Sequence, residues 1–137
     1  MKQYVVDASV ILTALLESRE SLVGKIEKYF RSAREGKSHL FSIPFVTVEV
    51  ANGLRFNTRD KDIALKLFGG FQELQIKKVS LSNSQYEKIL GLSYEIGTTV
   101  YDTSYHILAK SLGATFLTCD ADYYKKAAKL GNIELLK

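Results

Sequence analysis

Cysteine is almost absent from the sequence, because Cys119 is the only one among 137 residues. One thiol cannot form an intramolecular disulfide, and it cannot build a zinc site from several cysteines. No apolar run approaches the ~20 residues of a membrane span. The N-terminus also lacks the basic start and apolar core of a signal peptide. We therefore expect a protein of a reducing, cytoplasmic compartment without membrane contact.

Proline is equally scarce, since Pro44 is the only one, so helices can run without interruption. No low-complexity segment, internal repeat or linker divides the chain. A chain of 137 residues is long enough to bury its own core. We therefore expect residues 1–137 to form a single domain.

Strand-like and helix-like segments alternate along the sequence. Short apolar runs predict strands at 3–6, 39–43, 76–81, 114–119 and 132–136. Helical apolar spacing predicts helices at 9–18, 20–36, 45–57, 60–74, 83–97, 100–113 and 120–131. Asn83 is expected to cap its helix, and Gly97 and Gly113 are expected to end theirs. Helices between successive strands predict a three-layer α/β/α domain with a central parallel sheet of four to five strands.

Acidic residues stand where the predicted strands end. Asp7 follows the first strand, and Asp120 follows the fourth. Asp102 lies in the first turn of its helix, at the border of a buried apolar arc that includes Tyr101 and Tyr105. Glu49 lies in the helix after the second strand, within an apolar sector. Because functional crevices of parallel sheets lie at the carboxyl ends of the strands, these acids are candidate site residues.

Most of these acids also have a purely structural explanation. Asp7 and Asp120 could cap helices, and Asp102 could complement a helix dipole. Glu49 is harder to explain in this way, because a lone glutamate beside apolar residues such as Phe45 is costly to bury. Four carboxylates brought together would repel one another unless a hard cation neutralised them. Oxygen ligands of this kind favour Mg²⁺ or Mn²⁺.

Three segments together resemble the acidic motifs of the PIN-domain ribonucleases. They read YVVDASVILTALL from residue 4, FVTVEVANGL from residue 45 and TTVYDTSYHILAKSLGATFLTCDADYYKKA from residue 98. The most specific part is YDTSYHILAKSLGATFLTCD, in which an acid opens a helix and Thr-x-Asp follows a strand. The resemblance covers essentially the whole chain and is strongest to the VapC toxins of VapBC toxin–antitoxin pairs.

The resemblance implies a function and a set of site residues. It implies hydrolysis of RNA phosphodiester bonds with Mg²⁺ or Mn²⁺, by a homodimer that an antitoxin protein inhibits. The acids that would hold the metal and act in catalysis are Asp7, Glu49, Asp102 and Asp120, and the supporting hydroxyls are those of Ser9 and Thr118. Asp122 either joins Asp120 as a metal ligand or only flanks it.

The charge balance is compatible with an RNA substrate. The net charge is +4, and without the four candidate acids the chain has 19 basic against 11 acidic residues. Candidates for guiding an RNA backbone are Arg55, Arg59, Lys61 and Lys66, although a solvated helix face explains each of them equally well.

Apolar side chains in the segment 9–36 suggest a protein partner. They exceed what one sheet face needs to absorb, so this segment is expected to contact a second subunit or an antitoxin helix. These side chains are Leu15, Leu16, Leu22, Val23, Ile26 and Phe30.

Two other functions stay open from the sequence alone. A phosphatase could use Asp7 as its nucleophile, but Ser9 occupies the position where such enzymes usually have a second aspartate. A PIN-like scaffold could bind RNA or protein without cleaving it, although it would have no need of four acids. We expect His106 to be exposed or satisfied by hydrogen bonds, and we expect Tyr123 to pack rather than to stack on bases.

Overall fold

Five strands and seven helices alternate along residues 1–137, all of which the computed structural model describes. The strands are β1 (Lys2–Val6), β2 (Ser38–Ser42), β3 (Ile76–Lys78), β4 (Thr115–Thr118) and β5 (Ile133–Leu135). The helices are α1 (Ala8–Leu16), α2 (Glu20–Arg34), α3 (Val46–Asn57), α4 (Lys61–Gln72), α5 (Asn83–Ile96), α6 (Val100–Leu112) and α7 (Ala121–Ala127). A 3₁₀ turn, Ala128–Leu130, follows α7. Every predicted strand and helix is present, and no helix has the length and apolarity to cross a membrane.

The strands form one parallel sheet in the order β3-β2-β1-β4-β5. The chain first builds outward from β1 to β3, and then crosses to the other side of β1 to place β4. The strand order therefore reverses between β1 and β4, and their carboxyl ends border the crevice where ligands bind in such sheets. The predicted three-layer α/β/α fold is confirmed.

The two central strands are buried toward their carboxyl ends. Val5 and Val6 of β1 and Phe116 and Leu117 of β4 have no solvent exposure. Consecutive buried residues are the mark of a strand covered on both faces. The centre of the sheet is therefore a rigid base for the residues that follow β1 and β4.

The ends of two helices are set by local backbone chemistry. Ser82, not Asn83, caps α5: its hydroxyl accepts from the Gln85 N–H, and the Gln85 side chain accepts from the Ser82 N–H. This capping box requires the cap to lie three residues before the glutamine, so the prediction for Asn83 is wrong. Gly97 and Gly113 end α5 and α6 as predicted, with φ of 69° and 66°.

The expected surplus of apolar surface on residues 9–36 is largely absent. Leu22, Ile26 and Phe30 are buried in the core, because one face of α2 packs on the sheet. Only Leu16 of the six side chains is exposed. Large apolar side chains are exposed elsewhere, on α3, α4 and α5, and include Val48, Phe56, Ile63, Leu65, Leu90 and Tyr94.

Replacing Gly113 should show how strongly the end of α6 depends on a left-handed residue. We expect Gly113→Ala to lower the free energy of unfolding by about 1–2 kcal/mol, because a Cβ is strained at this φ. Gly24→Ala is the matched control: Gly24 lies within α2 with open space around it, and alanine there should stabilise by up to ~1 kcal/mol. Urea unfolding measures both. Equal effects of the two substitutions would contradict this account of the helix end.

Candidate active site

Asp7 is buried at the carboxyl end of β1, where it caps α1. Its side chain is only 4% exposed, and Oδ1 accepts hydrogen bonds from the Val10 N–H at 3.1 Å and the Ser9 hydroxyl at 2.5 Å. Oδ2 accepts from the Thr118 hydroxyl at 2.7 Å. The cap predicted as a structural explanation is thus present, and both hydroxyls expected to support the site contact this carboxylate.

Burial has a larger effect on Asp7 than these hydrogen bonds have. Loss of solvent raises the pKa of Asp7 to about 6, although Ser9, Thr118 and the Val10 N–H all favour the ionised form. The negative charge of Asp102 raises the pKa further. Asp7 therefore carries a charge at neutral pH that the metal-free protein stabilises poorly.

Asp120 lies beside Asp7 because Thr118 bridges the two. The Thr118 hydroxyl donates to Asp7 and accepts from the Asp120 N–H at 3.1 Å. Asp120 then caps α7 by accepting from the Tyr123 N–H at 3.0 Å. Cys119 separates Asp120 from the end of β4, so the carboxylate stands one residue further from the strand than predicted.

Glu49 is brought to the site by a contact between α3 and α6. The buried Tyr105 of α6 donates its hydroxyl to Oε1 of Glu49, and Oε2 accepts no hydrogen bond from the protein. Burial and the charge of Asp102 raise the pKa of Glu49, while the Tyr105 hydroxyl lowers it. Phe45, an apolar residue expected beside Glu49, is exposed, whereas Tyr105, which contacts Glu49 from α6, is buried.

Asp102 connects the other acids electrostatically. Burial raises the pKa of Asp102, the Thr99 hydroxyl lowers it and the charge of Asp120 raises it. The charge of Asp102 in turn raises the pKa of both Asp7 and Glu49. The four acids predicted from the sequence are therefore close enough for each to affect at least one of the others.

The same acids have no cationic partners. The ion pairs of the structure join Arg19 to Glu17, Arg34 to Glu27 and Lys37 to Glu35, and none of them includes one of the four acids. Carboxylates that repel one another and meet no lysine or arginine are a donor set suited to a hard cation. Asp122 is exposed on the first turn of α7, where it flanks Asp120.

The acids do not form a ready-made metal cage. No group of three or more His, Cys, Asp or Glu side chains has the arrangement to hold a metal ion as it stands. Hydroxyl groups occupy part of the ligand capacity, since Asp7 accepts from Ser9 and Thr118 and Glu49 accepts from Tyr105. The chemistry of the donors fits a divalent cation, whereas their present geometry would have to contract around one.

Comparison with known protein families identifies a match over most of the chain. A family model described as PIN domain matches residues 4–129, which include all four acids. The chain belongs to the PIN-domain family. A comparison with curated proteins finds none that matches the sequence.

Solved structures share this PIN-domain fold along nearly the whole chain. PAE2754 from Pyrobaculum aerophilum is 22% identical with a TM-score of 0.66, and the match covers 91% of this chain and 86% of that one. VapBC2 from Rickettsia felis is 14% identical with a TM-score of 0.70, over 98% and 99% of the two chains. VapC20 from Mycobacterium tuberculosis is 12% identical with a TM-score of 0.67, over 98% and 99%. At these identities the likeness is one of fold.

His106 joins the middle of the PIN domain's α6 to α7 and to the segment that follows α7. It is fully buried, so its Nε2–H donates to the Gly131 carbonyl at 2.7 Å and its Nδ1 accepts from the Tyr123 hydroxyl at 2.8 Å. Burial lowers the pKa of His106, in keeping with this neutral form. His106 is thus satisfied by hydrogen bonds rather than exposed, and Tyr123 packs in the interior as predicted.

The predicted basic residues border a groove between α3 and α4 of the PIN domain. Arg55, Arg59 and Lys61 line an opening of about 640 Å³ whose other walls include Leu54 and Phe68. Lys66 does not line it. These cations surround apolar surface rather than forming a purely solvated face.

Tyr105 and Tyr101 of the PIN domain flank Asp102 in the sequence, but their different environments were not evident from it. Both were assigned to a single buried arc of α6, whereas Tyr105 is 1% exposed and Tyr101 is 57% exposed. The available signal was their position, because they stand one residue before and three residues after Asp102. Helical spacing alone does not reveal that α3 approaches this end of α6.

Asp7→Asn should stabilise the metal-free protein at neutral pH. The folded state binds the Asp7 proton more tightly than the unfolded chain does, so the free energy of unfolding falls as pH rises from about 4 to about 7. A shift from 3.8 to about 6 corresponds to about 3 kcal/mol at most. We expect the variant to have a flatter pH profile and a higher Tm above pH 7, measured by thermal unfolding in EDTA.

A matched control for this profile is Glu87→Gln, at an exposed position of α5. This substitution also removes one negative charge, and it should leave the shape of the pH profile unchanged. An Asp7→Asn profile that stays parallel to that of the wild type would show that burial does not perturb Asp7.

Tyr105→Phe should separate the hydroxyl of Tyr105 from its packing. The ring stacks on Phe116 with an interplanar angle of 9°, and phenylalanine preserves that contact. Because the hydroxyl lowers the pKa of Glu49, its removal should raise this pKa in a carboxyl-carbon NMR titration. Tyr94→Phe, on the exposed face of α5, is the control and should leave the pKa of Glu49 unchanged. If Tyr105→Phe also left this pKa unchanged, the hydrogen bond would not exist in solution.

Proposed function

We propose that this PIN-domain protein is a Mg²⁺- or Mn²⁺-dependent endoribonuclease, acting in the cytoplasm as the toxin of a toxin–antitoxin pair. The observation that carries the proposal is the convergence of Asp7, Glu49, Asp102 and Asp120, whose charges affect one another without a cationic partner. Asp7 and Asp120 follow β1 and β4, whose carboxyl ends border the crevice of the sheet. The described activity of a structural neighbour, VapC20, as a sarcin–ricin loop cleaving toxin supports RNA as the substrate.

The four acids would hold the divalent cation, with Asp122 as an outer neighbour. A cation bound there supplies neutralisation of phosphoryl charge and a more acidic water at neutral pH. Ser9 and Thr118 fix the orientation of Asp7, and Tyr105 fixes that of Glu49. Thr118 also holds the Asp120 backbone, so one hydroxyl keeps two of the acids in register.

A PIN-like scaffold that binds RNA or protein without cleavage is the second candidate. It is favoured by the absence of three acids already arranged to hold a metal. Against it stands the cost of burying Asp7, whose pKa is raised to about 6. In a scaffold, a neutral amide at this position would serve as well as the carboxylate without the cost of burying a charge. A phosphatase with Asp7 as nucleophile is disfavoured, because that carboxylate is buried and occupied by three donors.

An antitoxin is the proposed protein partner. Two of the structural neighbours are described as toxin–antitoxin assemblies, VapBC2 from Rickettsia felis and VapBC-1 from nontypeable Haemophilus influenzae. We retain the homodimer as a proposal that rests on the family alone, because the apolar residues of α2 that suggested it are in the core. Arg55, Arg59, Lys61 and Lys66 remain candidates for guiding the RNA backbone.

Cleavage of RNA should require both a divalent cation and Asp102. Purified protein incubated with total RNA and Mn²⁺ or Mg²⁺ should produce discrete fragments, and EDTA should abolish them while circular dichroism stays unchanged. Asp102→Asn should slow cleavage by at least ~100-fold, since several kcal/mol of charge stabilisation depend on the cation.

Glu87→Gln is again the control and should cleave like the wild type. Induced expression of the wild type, but not of Asp102→Asn, should arrest growth. If the wild type cuts neither total RNA nor defined tRNA and rRNA fragments, and its expression leaves growth normal, the nuclease proposal fails and the scaffold becomes the leading candidate.

A further inference from the structure

We propose that Phe45 and Tyr101 form a stacking platform for an unpaired nucleobase of the substrate, next to the phosphate that is cut. This inference rests on the proposed ribonuclease function and specifies its substrate class. The two rings are stacked, with centroids 5.1 Å apart and an interplanar angle of 12°. Phe45 is 37% exposed and Tyr101 57% exposed, so the pair lies at the surface.

The platform is one helical turn from the acids. Phe45 and Glu49 are four residues apart, joined by the hydrogen bond from the Glu49 N–H to the Phe45 carbonyl, and therefore share a face. Tyr101 and Tyr105 have the same spacing on α6. The two helices thus make two contacts one turn apart. One is the exposed Phe45–Tyr101 stack, and the other is the hydrogen bond from the buried Tyr105 to Glu49.

The exposed surface of Tyr101 has the geometry of a stacking site. Phe45 covers one face of the ring, so the exposed part of Tyr101 belongs to its other face and its edge. A planar base placed on that face would continue a stack that the protein has already begun. Because the two protein rings hold each other nearly parallel, little conformational freedom remains to be lost when a third ring joins.

The surroundings favour a base over a phosphate or an acidic peptide. Tyr101 directly precedes Asp102, and Glu49 lies on the other side of the same contact. A phosphate or carboxylate placed on the Tyr101 ring itself would lie against these acids, whereas a neutral aromatic base on the ring carries no charge for them to repel. A protein partner would also bury these rings, but the continuity with the acids favours a group that is part of the substrate.

Only an unpaired nucleotide can use such a platform. A base within a duplex is stacked on both faces and paired at its edge, so it cannot present a face to a tyrosine. Stacking on an aromatic side chain is also tolerant of base identity. The platform therefore selects loops and single strands, and it contributes to position more than to sequence preference.

Binding in the absence of cleavage tests the platform directly. The probe is a single-stranded RNA oligonucleotide with one 2-aminopurine, moved to a different position in each member of a series. It is titrated with wild-type protein in EDTA, which prevents cutting. We expect fluorescence to be quenched at one or two adjacent positions only, and we expect the same sequence in a duplex to show no quenching.

Three substitutions assign the quenching to Tyr101. Tyr101→Leu should abolish it and weaken binding about tenfold, or ~1.4 kcal/mol, within the usual contribution of one stacked base. Tyr101→Phe should restore both, because it keeps the ring. Tyr94→Leu removes another strongly exposed tyrosine, which lies on α5, and should change neither.

Each outcome of the series has a definite meaning. If Tyr101→Leu binds and quenches like the wild type, the platform proposal is overturned. It is also overturned if light scattering shows that Tyr101→Leu has a different oligomeric state, because the rings would then contact a second copy of the chain. If the wild type shows the quenching but cuts no RNA, the result supports the platform and rejects the nuclease proposal. If the wild type cuts RNA but Tyr101→Leu cuts with the same KM and kcat, the platform fails and the nuclease stands.

Discussion

The arrangement of this protein depends on keeping one carboxylate, that of Asp7, buried at the end of the central strand. A buried carboxylate is tolerated only if donors surround it, and here they come from the first turn of α1 and from the end of β4. The need to satisfy Asp7 therefore aligns β1, α1 and β4 at one edge of the sheet. The Thr118 hydroxyl that completes this shell also accepts from the Asp120 backbone, so the start of α7 is fixed by the same requirement.

Two further polar contacts place the remaining helices relative to this edge. Tyr105 donates to Glu49 and joins α6 to α3, and on the neighbouring position His106 joins α6 to Tyr123 of α7 and to Gly131. Buried donors and acceptors such as these must be paired, because an unpaired group costs about 1–3 kcal/mol. Consecutive residues of one helix thus join α6 to α3, to α7 and to the segment before β5, and a small shift of α6 would break several hydrogen bonds together.

The cost of this arrangement is electrostatic. Asp7, Glu49 and Asp102 all have raised pKa values, with burial as the largest cause and neighbouring acids as an additional one. Basic residues that could relieve the repulsion lie elsewhere, several of them around the groove between α3 and α4. Perturbed pKa values of this kind cluster at sites whose function depends on charge.

The sequence by itself determined the alternation of strands and helices and the parallel three-layer fold. It also determined the helix ends at Gly97 and Gly113 and the positions of Asp7 and Asp120. Each of these features follows from local spacing or from the residue that comes after a strand. Tertiary structure decided what local spacing does not contain. It exposed Tyr101 but buried Tyr105, gave Glu49 a partner 56 residues away, placed Thr118 on a carboxylate 111 residues away, and directed α2 into the core instead of toward a partner. The physical reason is that helical periodicity shows which residues share a face, whereas only the packing of the whole chain determines what that face meets.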